Sequence, residues 1–222
     1  MGNAAQRFNF ALLQPNCEGV RLREPFAEFV RSELGPRTLL VTCGLPGTWK
    51  TETSEEVSRI MGFPILRSDL IRLEVLKSED VFDVKVASDM VKRLSVYDEL
   101  FRQADELVQR NREGVILDAT FVTQELRRRA AEIAAKHDMT LAILQTQCSE
   151  EASLARIARR TKENYESNAL TPEAYYNNKR KFEPVELGDL KKSFPLLKIV
   201  HLMVDTELDA PEYWFIIGVE RR

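Results

Sequence analysis

The chain has 222 residues, a formal net charge of −3 and 30% charged residues. This length suits one domain with a substantial core, and the composition excludes a mainly disordered chain. The slightly acidic balance gives no overall attraction for nucleic acid or an anionic membrane, so neither is a favoured partner.

The first 36 residues are predicted to form an N-terminal extension with one helix. Residues 26–34 have helical spacing of apolar side chains, and Gly35-Pro36 is a stop signal that ends the pattern. The main domain is predicted to cover residues 37–205, followed by a C-terminal edge segment, 206–222. Within that segment, residues 213–217 are β-prone and would add an edge strand or form an interface.

The main domain alternates between β-rich runs and helical stretches. Short apolar runs predict five strands, at 38–43, 63–66, 115–118, 141–146 and 198–204. Helical patterns cover 51–61, most of the section up to about residue 112, 124–137 and 150–160. Strands separated by helices predict an α/β fold with a central, mainly parallel five-stranded sheet covered by helices.

A phosphate-loop pattern follows the first of these strands. The pattern G-x-x-x-x-G-K-[ST] covers Gly44, Leu45, Pro46, Gly47, Thr48, Trp49, Lys50 and Thr51. Backbone N–H groups in such a loop curl around phosphate oxygens, Lys50 would reach the β and γ phosphates, and Thr51 would offer its hydroxyl to Mg²⁺. The alternative is an ordinary Gly-Pro-Gly turn between a strand and a helix.

Trp49 departs from the pattern, because it stands where the second glycine is expected. A bulky residue with positive φ would cost on the order of 1–3 kcal/mol. Two interpretations stay open. Either the loop keeps its shape and the indole covers a neighbouring face of the site, or the loop is altered and nucleotide binding is weakened or lost.

Two acidic residues follow predicted strands. Asp118 ends the apolar run Val115-Ile116-Leu117 and is a candidate Mg²⁺ ligand opposite Thr51, although the same pattern also occurs at helix caps. Asp69 follows the second strand, and Arg72 lies three residues later on the same helix face. Asp69 could accept the proton of an acceptor hydroxyl or could simply cap the helix.

These segments together resemble the P-loop kinase-like family AAA_33, which has zeta-toxin-like and polynucleotide-kinase-like relatives. The resemblance rests on the phosphate loop, residues 66–72 and 117–121, the arginines 127–129 and the segment 180–184, and it spans roughly residues 38–184. It implies a three-layer P-loop NTPase fold with a helical lid at about 156–184. It also implies that Asp69 orients or deprotonates the acceptor hydroxyl and that Arg72 contacts acceptor or phosphate.

The resemblance further implies a lid arginine after the fourth strand. Arg156 and Arg160 share one helix face, with Arg159 beside them, and are the candidates. The alternative is a solvated basic helix face. Arg127 to Arg129 and Lys179 to Lys181 could form a phosphate-binding path if they lie on one rim.

The expected function is ATP-dependent phosphoryl transfer with Mg²⁺, and GTP is an alternative nucleotide. The acceptor would be a hydroxyl of a small molecule or, less favoured, a nucleic-acid 5′ end. A nucleotide-binding switch or degenerate kinase remains an alternative, and simple hydrolysis ranks last because no water-orienting residue is evident. The sequence identifies neither the acceptor nor the oligomeric state.

The cysteines and the hydropathy pattern bear on location. Cys17, Cys43 and Cys148 form no C-x-x-C pair, no apolar run approaches the roughly 20 residues of a membrane span, and the N-terminus has no basic region leading into an apolar run. We therefore expect a cytoplasmic protein with no membrane partner. His137 and His201 have no neighbouring metal ligands in the sequence, so no zinc site is predicted.

Overall fold

The computed structural model describes residues 23–83, 86, 89–110, 113–161 and 169–222. Cys17, most of the N-terminal extension and part of the predicted lid lie outside these residues. The described strands are β1 Glu24–Pro25, β2 Thr38–Cys43, β3 Ile65–Arg67, β4 Val115–Asp118, β5 Thr140–Gln147, β6 Ile199–Asp205 and β7 Phe215–Arg221. The described helices are α1 Phe26–Glu33, α2 Lys50–Met61, α3 Ser68–Val75, α4 Met90–Arg110, α5 Gln124–Lys136, α6 Glu150–Ala158, α7 Pro172–Lys181 and α8 Leu187–Ser193.

One sheet runs through the molecule in the order β1-β7-β6-β5-β2-β4-β3. The five strands from β6 to β3 are parallel, as the alternation of strands and helices predicts. The α/β prediction is therefore confirmed. The predicted number of strands was wrong, because two antiparallel strands extend the sheet beyond β6.

The two additional strands come from the ends of the chain. Strand β7 pairs with β6, and β1 pairs with the other edge of β7, both antiparallel. The β-prone C-terminal run thus forms a strand, but it is covered on its outer side by Glu24-Pro25. A two-residue strand that contains proline carries no periodic signal, which explains why the sequence did not indicate it.

Helices cover both faces of the sheet because the residues of each central strand alternate between two hydrophobic cores. In β2, Leu39 and Val41 enter the core formed with α4, α5 and α8. Leu40 enters the core formed with α1, α2 and Trp214. The result is three layers, and the helix predicted in the N-terminal extension packs into the second core. None of the described helices has the length and apolar character that crossing a membrane requires.

The strand order brings the candidate site together. Strand β2 lies between β4 and β5, and β3 flanks β4 on its far side. Because these strands are parallel, their carboxyl ends share one edge of the sheet, where ligands bind in open α/β folds. The phosphate loop follows β2, Asp118 ends β4 and Asp69 follows β3, so these three parts of the site lie side by side.

Candidate functional site

The loop between β2 and α2 has the tight backbone that its glycines permit. Gly44 has φ 145° and Gly47 has φ 83°. A Cβ at Gly44 would come within 2.7 Å of the Thr146 carbonyl oxygen, and one at Gly47 within 2.6 Å of the Ser153 carbonyl oxygen. Both positions therefore require glycine for conformation and for space.

Trp49 adopts the left-handed conformation that a glycine would favour, with φ 57° and ψ 37°. Its indole Nε1 donates a hydrogen bond to Asp209 Oδ1 at 3.2 Å. The Arg156 guanidinium carbon lies 4.9 Å from the centre of the indole ring, which is cation–π distance. This geometry matches the first of the two alternatives for Trp49, a loop that keeps its shape with the indole against a neighbouring surface.

Lys50, Thr51 and Asp118 meet below the loop. Lys50 Nζ donates to the Leu45 carbonyl oxygen at 2.7 Å, and Thr51 Oγ1 donates to Asp118 Oδ2 at 2.7 Å. Thr42 Oγ1 lies 3.2 Å from the other carboxylate oxygen, Asp118 Oδ1. Thr51 and Thr42 thus hold the buried Asp118 carboxylate, while the half-buried Lys50 is held by the loop backbone.

Burial shifts the pKa values of Asp118 and Lys50 in the directions that favour their neutral forms. Desolvation raises the pKa of Asp118 to about 6, against the opposing hydrogen bond from Thr51 and the charge of Lys50. Desolvation also lowers the pKa of Lys50, and Asp118 opposes that shift. Both groups are more stable in their charged forms with a compensating ligand beside them, as expected of a site that binds ions.

Asp69 and Arg72 form an ion pair on α3. Asp69 Oδ1 accepts a hydrogen bond from Arg72 Nη1 at 2.6 Å. Asp69 does not cap the helix, because α3 begins at Ser68 and has no side-chain cap hydrogen bond. The structure therefore does not support the capping explanation for Asp69, and both members of the pair line the cavity.

Arg156 does not occupy the lid position that the resemblance implied. Its side chain is 5% exposed and donates to the carbonyl oxygens of Gly47, Thr206 and Glu207 at 2.7–3.0 Å. It also donates to Asp209 Oδ1 at 3.0 Å. Arg156 thus ties the phosphate loop to the segment after β6, and its donors already have partners within the protein.

Arg160 lies closer to the position expected of a lid arginine. It lines the cavity, and its Nη1 donates to the Ala169 carbonyl oxygen at 3.3 Å. The other two groups of basic residues do not form one phosphate path. Arg127 is fully buried, Arg129 pairs with Asp98, and Lys179 pairs with Glu150.

A cavity of about 700 Å³ connects these groups. The predicted residues that line it are Pro46, Gly47, Trp49, Lys50, Thr51, Asp69, Arg72, Asp118 and Arg160. Sequence reasoning missed Arg93 and Tyr97, which also line it, as does Lys181 from the predicted basic run 179–181. Tyr97 and Arg93 lie one turn apart on α4, a helical spacing that the sequence contains but that pointed to no particular face.

The residues that line the cavity fit Mg²⁺ and a nucleoside triphosphate. Thr51 and Asp118 offer hard oxygen ligands, and Mg²⁺ in phosphotransfer sites is commonly held by one or two protein ligands plus phosphate oxygens and water. In the described part of the chain, no group of three or more His, Cys, Asp or Glu side chains could hold a metal ion alone.

Fold and site together define a P-loop NTPase of the kinase type. The family model described as an AAA domain, AAA_33, matches residues 39–185. The chain therefore belongs to this family, as its motifs indicated, and membership implies nucleotide binding. No curated protein matches the chain.

Solved structures agree on the fold. A gluconokinase from Sinorhizobium meliloti 1021 is 15% identical with a TM-score of 0.52, over 78% of this chain and 84% of that one. A sugar kinase from Janibacter sp. HTCC2649 is 14% identical with a TM-score of 0.57, over 80% and 89%. Chaetomium thermophilum Kti12, in complex with ADP-AlF3, is 16% identical with a TM-score of 0.51, over 66% and 80%. At these identities the likeness establishes the fold.

Proposed function

We propose that the protein is an ATP-dependent phosphotransferase that moves the γ-phosphoryl group to a hydroxyl of a small molecule. One observation carries this proposal. Lys50, the Thr51–Asp118 pair and the Asp69–Arg72 pair line a single cavity at the carboxyl edge of the sheet. A phosphate-binding group and an acceptor-binding carboxylate in one cavity are the parts that in-line phosphoryl transfer needs.

On the donor side, the phosphate loop orients the triphosphate. Backbone N–H groups between Gly44 and Thr51 bind phosphate oxygens at the N-terminus of α2, where the helix dipole favours negative charge. Lys50 leaves the Leu45 carbonyl and neutralises charge on the β and γ phosphates. Thr51 and Asp118 would hold Mg²⁺, which would supply further neutralisation of the phosphate charge.

On the acceptor side, Asp69 aligns the nucleophile. Its carboxylate accepts a hydrogen bond from the acceptor hydroxyl and takes the proton as the oxygen–phosphorus bond forms. Arg72 holds this carboxylate in place through its 2.6 Å hydrogen bond to Asp69 Oδ1. Arg160 approaches from the lid side and offsets the charge that develops on the transferred group.

A small acceptor is favoured over a nucleic-acid end. The chain is acidic overall, and its basic runs at 127–129 are either buried or paired with acids, which leaves no continuous phosphate-binding path there. Two of the fold neighbours, the gluconokinase and the sugar kinase, are named after small-molecule acceptors. ATP is the expected donor, and GTP is the alternative.

The acceptor role of Asp69 is tested by transfer of labelled γ-phosphate from ATP to a panel of hydroxyl compounds. Asp69→Asn should lower kcat by about 10²–10⁴-fold, the range for a lost general base, while nucleotide affinity stays unchanged. Glu74→Gln is the matched control, because Glu74 is exposed on the same helix and does not line the cavity. Equal activity of Asp69→Asn and wild type would contradict the proposal.

A second function rests on Trp49. A bulky residue in the strained left-handed position is an observation that also suits a nucleotide-binding regulatory protein with little turnover. Nucleotide binding in calorimetry without transfer to any acceptor would favour that function. Phosphate release that is independent of added acceptors would instead indicate hydrolysis.

A further inference from the structure

Two cations in the cavity have no role in the donor site described above. Arg93 lies on α4 and Lys181 is the last residue of α7, and both line the cavity. Lys181 Nζ contacts Met90 Sδ at 3.8 Å, a weak acceptor, and Met90 precedes Arg93 by one helical turn. This contact brings the two cations to the same side of the cavity.

Neither cation is neutralised by a carboxylate among the described residues. The ion pairs of the cavity join Asp69 to Arg72 and bring Asp118 near Arg67, and none includes Arg93 or Lys181. Glu173 also lines the cavity, but it stands eight residues before Lys181 on α7, about 12 Å away along the helix axis. Two cations in a shared cavity, with no carboxylate partner in the described part of the chain, favour a negatively charged ligand.

This basic pair lies on the acceptor side of the site. Helix α4 packs against α3, which carries Asp69; both helices contact the edge strand β3, and α4 also contacts β4. Tyr97 lies one turn after Arg93, and its hydroxyl is 3.3 Å from Thr120 Oγ1. Burial raises the pKa of Tyr97, and the charges of Arg93 and Arg72 oppose this, so both guanidinium groups act on the same hydroxyl.

We propose that the phosphoryl acceptor is a small anionic hydroxyl compound whose negative group binds between Arg93 and Lys181 while its hydroxyl lies at Asp69. This inference rests on the proposed phosphotransferase function. In the transfer, the hydroxyl oxygen forms a bond to the γ phosphorus, the bond from that phosphorus to the bridging oxygen breaks, and ADP leaves with the electron pair. The hydroxyl proton goes to Asp69.

The negative group is a carboxylate or a phosphate ester, and anion titrations distinguish the two. Inorganic phosphate and acetate are titrated separately, with calorimetric detection, into protein saturated with a nonhydrolysable ATP analogue and Mg²⁺. The same titrations are repeated without nucleotide on Lys50→Ala, a variant that lacks the lysine charge of the donor site. The result for the acceptor side therefore stands even if the wild type binds no nucleotide and the proposed function fails.

The expected result is one anion site that weakens about tenfold or more in Arg93→Gln and in Lys181→Gln, the effect of losing a charge-assisted hydrogen bond. Arg180→Gln is the control, since Arg180 is exposed beside Lys181 and does not line the cavity. Thermal unfolding midpoints check that each variant folds. Tighter binding of phosphate than acetate would indicate a phosphate ester, and the reverse order a carboxylate.

Three results would overturn the inference. The first is no anion site in either protein. The second is a failure of Arg93→Gln and Lys181→Gln to weaken anion binding, whether these variants change nothing or lower only the affinity for the nucleotide. The third is a single-stranded oligonucleotide that binds more tightly than phosphate with a steep salt dependence, which would replace the small molecule with a nucleic acid.

Discussion

The left-handed backbone at Trp49 predicts an unusual order of stability for two substitutions. For an L-residue with a Cβ, this conformation costs about 1–2 kcal/mol, and glycine avoids the cost. Trp49→Gly should therefore be more stable than Trp49→Ala. At a right-handed position the order is the reverse, because glycine loses more conformational freedom on folding and is less stable than alanine by about 0.4–1 kcal/mol.

The wild type should be more stable than both variants. Each variant loses the hydrogen bond to Asp209, worth about 1 kcal/mol in free energy of unfolding, and the cation–π contact with Arg156, worth about 1–2 kcal/mol. Trp49→Gly recovers the backbone strain, so its net loss should be about 1 kcal/mol. Trp49→Ala keeps most of the strain and should lose about 2–3 kcal/mol.

Urea unfolding followed by circular dichroism measures these differences in free energy. In thermal unfolding, the midpoint temperature should fall by about 2–4 °C for each kcal/mol of stability lost. The control pair is Glu132→Ala and Glu132→Gly in the middle of α5, an exposed helical site where alanine should be more stable by about 1 kcal/mol. The same order at positions 49 and 132, with alanine above glycine at both, would refute the left-handed loop.

Three further substitutions test the site and its support. Asp118→Asn should lower the rate of phosphoryl transfer by about 10²-fold or more. Because it removes a buried charge, the free energy of unfolding of the nucleotide-free protein should stay equal or rise, and a clear loss of stability would contradict this. His201, which burial holds at a pKa of about 4, is neutral in the native state, so stability is fully present above about pH 6.5 and falls as pH drops toward 4. Since each pKa unit is worth about 1.4 kcal/mol, the free energy of unfolding should fall by about 3 kcal/mol on this account. Urea unfolding measured from pH 7 to 4 should show a smaller fall in His201→Gln than in the wild type. Arg127→Met should cost about 3–5 kcal/mol in free energy of unfolding, because it removes the guanidinium hydrogen bonds to the carbonyls of Phe121, which is buried, and Glu183. An unchanged urea midpoint would show that water replaces these hydrogen bonds.

The sequence predicted the central strands and the loop because their signals are local. Strands 38–43 and 115–118 are short apolar runs that end at Gly44 and at Asp118, and the structure has the same bounds. Parallel strands between helices then bring these carboxyl ends to one edge. Strand β1 carried no such signal, since it has two exposed residues and forms by pairing with the distant strand β7.

The meeting of Arg93 and Lys181 at the cavity could not be predicted, because it depends on packing between distant helices. Arg93 and Lys181 are 88 positions apart in the numbering and meet only because α4 and α7 adjoin the same cavity. For Arg156, helical spacing identified the face it shares with Arg160 but not what covers that face. The carbonyl oxygens of Gly47 and Thr206, which bury its guanidinium, come from two other parts of the chain.

Calorimetric titration of ATP with Mg²⁺ into the wild type and Lys50→Ala tests the central claim most directly. Lys50 Nζ contacts only a carbonyl oxygen among its described hydrogen bonds, so its charge is available for phosphate, and Arg59→Ala on the exposed face of α2 is the control. The account predicts one nucleotide site in the wild type and in Arg59→Ala, with affinity reduced at least tenfold in Lys50→Ala. No binding by the wild type, or equal binding by all three proteins, would contradict it.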